Sequence, residues 1–147
     1  MTRRLNMVEV APGAYPVVLG LEKYCVKHVD STVLELIKLR ASVINGCAYC
    51  VDMHSHDALA KGETTERLFQ VAAWHDAACF TDRERAALAL TDQVTRIADG
   101  GVSDEVWAEV RAHWSEEETA NLIMAIATIN VWNRMNVATR NPPERRN

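Results

Sequence analysis

Helix follows helix along this sequence, and three observations predict an all-α fold. Apolar residues recur at three- and four-residue spacing, as in Val33, Leu34, Ile37, Ala41 and Ile44. Capping residues stand ahead of the periodic segments, twice as full capping boxes: Thr81-Asp82-Arg83-Glu84 and Ser115-Glu116-Glu117-Glu118. No segment sustains the alternation of a half-buried strand. The expectation is one helical domain over residues 1–147 with about six to seven helices.

The first helix runs from about Tyr15 to His28, with Pro16 tolerated in its first turn. Asp30, Ser31 and Thr32 offer caps for the second, which ends at Asn45-Gly46, where glycine accepts a left-handed conformation. A third starts near Cys47 and stops at Lys61-Gly62. A fourth is capped by Thr64 or Thr65 and ends near His75. The Thr81 box opens a helix reaching Gly100-Gly101, Ser103 caps a short one, and the Ser115 box opens a long last helix towards Thr139. Pro142-Pro143 stops it, and Asn141 to Asn147 form a polar tail.

Hydrophobic residues make up 48% of the 147 positions and charged residues 24%, an ordinary globular balance. A net charge of −4 with no basic stripe argues against nucleic-acid binding, and no apolar run is long enough to span a membrane. Asn6, Glu9, Pro12 and Gly13 interrupt the segment after Arg3-Arg4, so no signal peptide is expected and a cytoplasmic location is the default. In that compartment a close cysteine pair points to catalysis or metal binding rather than to a structural staple. Cys25 and Cys79 stand apart among apolar neighbours and read as small buried hydrophobes.

The chemistry gathers at Cys47, Cys50 and His54. Residues at i, i+3 and i+7 share a helix face, because rotations of about 300° and 700° both return near the start. A thiolate at a helix N-terminus is stabilised by unpaired N–H groups and the helix dipole, and thiol pKa values in C-x-x-C motifs fall from ~8.5 to about 3.5–7.5. His54, one turn beyond Cys50, is placed to take a proton from an attacking thiol. A positioned base contributes about 10²–10⁴-fold. The dipole is worth roughly 0.3–1 kcal/mol when exposed. Those magnitudes make Cys50 the attacking thiol and Cys47 the resolving one, although either could serve if a substrate is held differently. Glu35, twelve residues before Cys47, is placed by the tight turn to orient the imidazole. Thr32-Val33-Leu34-Glu35 is also a capping-box pattern, which offers Glu35 a purely local use.

The set Glu35, Cys47-x-x-Cys50 and His54 resembles the core motif of alkylhydroperoxidase D-like proteins in the carboxymuconolactone decarboxylase superfamily. Leu39-Arg40-Ala41-Ser42, Ile44-Asn45-Gly46-Cys47, Asp52-Met53-His54 and Asn130-Val131-Trp132-Asn133-Arg134-Met135-Asn136 extend the likeness, which covers a core from about Gly13 to Arg140. The resemblance implies an all-helical subunit assembling as a homotrimer or homohexamer. It also implies a cysteine-based peroxidase or disulfide reductase, with Glu35, Cys47, Cys50 and His54 as redox and proton-relay residues. Its substrates would be a small organic hydroperoxide or a partner disulfide, with a dithiol or lipoyl-type reductant, or a peroxiredoxin, as redox partner. No cofactor is implied. Some peroxidase members carry a His immediately before the second cysteine, where this chain has Tyr49, whose phenol has a pKa near 10 and is a poor proton carrier at neutral pH.

Rival functions are a decarboxylase of the namesake kind, a zinc module on Cys47, Cys50 and His54, and a helical oligomer whose thiols only sense oxidation. Structural zinc almost always takes four ligands, and no second C-x-x-C or H-x₃-H follows. His56 falls opposite Cys47 on the helix wheel and reads as a surface residue, while His28, His75 and His113 lie near predicted helix ends. Trp74, Trp107, Trp114 and Trp132 read as core or interface residues, and Asn130, Asn133 and Arg134 as structural hydrogen-bonding groups or an oligomer contact.

Overall fold

A computed structural model describes residues 2–144. In chain order they form α1 (Met7–Val10), α2 (Ala14–His28), α3 (Ser31–Ile44), α4 (Ala48–Ala60), α5 (Thr65–Gln70), α6 (Asp82–Thr95), α7 (Asp104–His113) and α8 (Glu116–Thr139). No strand occurs among the described residues, as the periodicity predicts. The helix beyond the expected set is α1, a single turn capped by the Asn6 side chain and too short for a periodic signal.

Local chemistry sets most boundaries. Both capping boxes form, with the Thr81 and Ser115 side chains each accepting from the third helical N–H while the glutamate reaches back. At α3 the cap is Asp30, whose Oδ1 accepts from Thr32 N at 3.0 Å and Val33 N at 3.2 Å. The Thr32–Glu35 box is therefore unused, which frees Glu35 for other partners. Two ends fall short of expectation. α6 stops at Thr95, and the chain winds as a 3₁₀ turn over Ile97–Asp99 before left-handed Gly100. Val94, Thr95 and Ile97, all β-branched, weaken helix continuation there. α5 likewise tightens into a 3₁₀ turn over Val71–Ala73 rather than reaching His75 as a helix.

The helix at the centre is α3, which packs on α4, α6 and α8. Every residue from Val33 to Ser42 is buried, so this helix has no solvent face. Leu34, Ile37, Leu90, Ile126 and Ile129 fill one side of the core, and Leu36, Leu39, Val71, Trp74 and Leu88 the other. Each such side chain contributes roughly 1.5–3 kcal/mol by leaving water. Trp74 and Trp114 are core residues, whereas Trp107 is exposed. No helix among the described residues is long and apolar enough to cross a membrane.

Three of the buried α3 residues carry charge, and each is met by a different helix. Lys38 pairs with Glu22 of α2, Glu35 with His54 and Lys61 beyond α3, and Arg40 with Asp92 of α6. The Arg40 pair is bidentate, at 2.6 and 2.8 Å, and the guanidinium also donates to Ala72 O at 2.8 Å. Removing one partner of a buried pair strands the other charge, a loss of about 3–5 kcal/mol. Arg40→Ala should therefore lower the unfolding free energy by about that amount in urea titrations. Glu109→Ala, which removes only the exposed pair with His113, should cost under about 1 kcal/mol.

Candidate active site

The turn between α3 and α4 positions the cysteines. Gly46 sits at φ 65°, a left-handed conformation that costs any residue with a side chain. It lets Gly46 N donate to Val43 O at 3.2 Å and Cys47 N to Ser42 O at 3.0 Å, closing α3 with the paired bonds of a Schellman motif. Cys47 is also the N-cap of α4, its Sγ accepting from Cys50 N at 3.3 Å. One residue thus ends one helix and begins the next. The turn is pinned to α8 by Asn45, whose Nδ2 donates to Asn130 Oδ1 at 3.0 Å and Asn133 Oδ1 at 2.9 Å. Asn133, fully buried, donates in turn to Ser42 Oγ at 2.9 Å. Asn130, Asn133 and Arg134 make the structural hydrogen bonds expected of them.

The structure brings all four predicted residues together. Cys47 and Cys50 are joined as a disulfide with their Cα atoms 5.3 Å apart, and both are buried. His54 lies one turn further along α4, also buried. Its Nδ1 faces Glu35 Oε2 at 3.2 Å. An ionised carboxylate only accepts, so Nδ1 carries the hydrogen in this contact. In the neutral ring the lone pair then belongs to Nε2, which is buried and has no hydrogen-bond partner among the described residues.

Burial pulls the Glu35 carboxyl upward, but the hydrogen bonds from His54 and Lys61 and the charge of Lys38 outweigh it and hold the pKa at about 2. Lys61 Nζ reaches Oε1 at 2.6 Å, and Lys38 Nζ lies 3.7 Å from the same oxygen. Glu35, His54 and Asp57 bring potential ligand atoms within 4.8 Å of one another. A cation there would have to displace Lys61 from Glu35 and sit beside the Lys38 ammonium, so this donor set does not suit one.

Cys50 and His54 open onto a cavity of about 860 Å³. Its walls come from α2, α4, α8 and both ends of the described chain, with Tyr15, Leu19, Met53, Trp132 and Met135 among its apolar side chains. Tyr15 and Trp132 meet edge to face at 5.1 Å. Tyr49 lines the cavity beside Cys50. The ends are stitched together: Arg4 N donates to Thr139 O at 2.8 Å, and Arg3 bonds Asn141.

Lys38 and Lys61 belong to this site outside the motif residues, and Asn136, the last residue of the α8 segment that extends the likeness, joins them with no role assigned from the sequence. Lys38 had a signal, a lone cation inside the apolar run Leu36-Ile37-Lys38-Leu39. Asn136, whose Nδ2 lies 3.5 Å from Cys50 Sγ, continues the polar strip of α8, while nothing local marks Lys61. His56 is exposed and bonded to Asp52 O of its own helix, in keeping with a surface residue.

An all-helical domain with a C-x-x-C disulfide at a helix start, facing a cavity, defines a class of dithiol proteins. The chain belongs to the carboxymuconolactone decarboxylase family, whose model matches residues 12–93, and is alkylhydroperoxidase D-like within it. The uncharacterized protein YdfG of Bacillus subtilis (strain 168) is 39% identical over 142 residues, covering 96% of this chain and 97% of YdfG. The crystal structure of ATU0492 from Agrobacterium tumefaciens, a protein of unknown function described as a candidate AhpD antioxidant defence protein, superposes with a TM-score of 0.96. It shares 37% identity and covers 99% of this chain and 100% of its own. An AhpD-core, peroxidase-related protein from Ralstonia eutropha JMP134 shares the fold at a TM-score of 0.82 and 20% identity, over 94% of this chain and 74% of that one.

Because the pKa of Glu35 is depressed from 4.5 to about 2, its ionised form stabilises the fold fully above pH 4.5. That contribution is lost as the pH falls from 4.5 through about 2. Urea unfolding at a series of pH values should show the gap between wild type and Glu35→Gln widest above pH 4.5 and closing towards pH 2. A constant gap would mean that the carboxylate charge is not what Glu35 contributes.

Proposed function

We propose that the protein is a thiol-dependent peroxidase or disulfide oxidoreductase of antioxidant defence, working through Cys50 and Cys47 with His54 and Glu35 as proton relay. The observation that carries this reading is the state of His54. Glu35 holds Nδ1, while Nε2, on the residue one turn from Cys50, is buried with no hydrogen-bond partner among the described residues. A base oriented in this way and left without a partner is poised to accept a proton.

In the reduced enzyme, His54 Nε2 takes the Cys50 proton as the sulfur attacks the terminal oxygen of a hydroperoxide. The O–O bond breaks, Cys50 becomes a sulfenic acid, and the departing alkoxide takes a proton from His54 to leave as the alcohol. The Cys47 sulfur then attacks Cys50, water leaves, and the disulfide forms. A dithiol reductant restores both thiols and becomes oxidised itself. The cavity suits an organic hydroperoxide, since Tyr15, Leu19, Met53, Trp132 and Met135 give it apolar wall beside the polar groups that meet the sulfur and its base. Cys50 takes the attacking role because it lines that cavity and precedes His54 by one turn. The natural reductant we expect is a lipoyl-type dithiol or a peroxiredoxin. We also expect a homotrimer or homohexamer, a reading supported by exposed apolar residues such as Val17 and Phe69.

With dihydrolipoamide as electron donor, the wild type should consume cumene hydroperoxide catalytically. Cys50→Ser should abolish turnover. Cys47→Ser should give one stoichiometric burst and stall as a sulfenic acid or mixed disulfide. His54→Ala should lose about 10²–10⁴-fold in rate. Turnover by Cys50→Ser, or none by wild type with any dithiol tried, would overturn the assignment. Light scattering should report three or six subunit masses, and a monomer at micromolar concentration would reject the assembly.

A further inference from the structure

Asn136 lies in the last turn of α8, far in sequence from the dithiol, yet its Nδ2 is 3.5 Å from Cys50 Sγ. An asparagine amide has a donor end and an acceptor end, so everything depends on which end faces the sulfur. The surrounding bonds decide it. Nδ2 also donates to Trp132 O at 3.0 Å, and Oδ1 accepts from Asn141 Nδ2 at 2.8 Å. Turned over, the amide would set its oxygen against the Trp132 carbonyl and its N–H groups against those of Asn141. Asn141 cannot turn to accommodate this, because its Oδ1 accepts from the Arg3 guanidinium, which has only donors. The backbone N–H of Asn141, bonded to Asn136 O at 2.9 Å, holds the two residues in register.

From this chain of bonds we infer that Asn136 is a catalytic residue that donates a hydrogen bond to the Cys50 thiolate, and that Asn141 is the positioning residue that keeps the amide facing the sulfur donor-first. A donor aimed at the charged form of a thiol lowers its pKa. The two sulfurs are thereby served by different means. Cys47 accepts from the backbone N–H of Cys50 at the helix start, and Cys50 accepts from a side chain of another helix. A lower Cys50 pKa raises the fraction of attacking thiolate and makes Cys50 the better leaving group when the disulfide is reduced.

The inference rests on Cys50 as the attacking thiol, and its test needs no turnover. In a Cys47→Ser background, where serine preserves the N-cap, alkylation of Cys50 by iodoacetamide is followed against pH by peptide mass mapping. Asn136→Leu should raise the Cys50 pKa by about one unit, so about tenfold less thiolate at a pH below both values. Asn136→Asp keeps the shape, exchanges the donor for an anion, and should raise it further. Asn141→Ala should move it in the same direction by a smaller amount, with Asn136 still present. If Asn136→Leu and Asn136→Asp both leave the Cys50 profile unchanged, the role of Asn136 is wrong, whatever the enzyme turns over. If they shift it while Asn141→Ala does not, the positioning role is wrong. A shift in an enzyme that reduces no hydroperoxide would leave Asn136 in place and remove the peroxidase reading instead.

Discussion

Glu35, Lys38 and Arg40 are buried on a helix that has no solvent face, and unpaired charges in that setting are not tolerated. Much of the architecture can be seen as the answer to that constraint. α2 brings Glu22 to Lys38, Lys61 follows α4 and His54 lies on it to meet Glu35, and α6 brings Asp92 to Arg40. α2, α4 and α6, which pack against α3, each also bring a partner for one of its charges, whereas α8 covers it through apolar and amide contacts alone, so for those three helices packing and charge pairing select the same arrangement. The proposed proton relay is one of these pairings. Glu35 thus serves stability and chemistry at once, and its low pKa follows from the partners that make its burial tolerable.

The dithiol is built into backbone hydrogen bonding as firmly as any cap. Cys47 closes α3 through its N–H and opens α4 through its sulfur, which leaves little freedom in where that sulfur sits. Cys50, by contrast, is on the helix proper, and its surroundings are side chains drawn from elsewhere. Half-buried Asn45 and the buried amides Asn130 and Asn133 tie the turn between α3 and α4 to α8. That arrangement explains why a long helix remote in sequence helps to define a four-residue motif.

The parts of this structure legible in the sequence are those governed by local chemistry. Caps such as Asp30, Thr81 and Ser115 act on N–H groups within three residues, and the spacing of Cys47, Cys50 and His54 follows from helix rotation alone. The reach of Glu35 to His54 was also foreseeable, given the tight turn between their helices. What could not be read depends on tertiary meetings. Whether Thr32-Val33-Leu34-Glu35 caps the helix or frees its glutamate was decided by Asp30 winning the cap. Lys61 and Asn136 became part of the site because chain distant in sequence folds back against α3 and α4. The early end of α6 reflects β-branched residues whose modest preferences a capping signal overshadowed.

The two ends of the described chain are laced together by Arg3, Arg4, Thr139 and Asn141 at the rim of the cavity, and Glu144 also borders it. A polypeptide joined close to Arg3 or Glu144 therefore starts at the wall of the cavity that Cys50 lines. An affinity tag rich in histidine would set its imidazoles, and any metal they retain from purification, beside the cavity that Cys50 and His54 line. Thiol titrations are better made on protein from which such a handle has been cleaved.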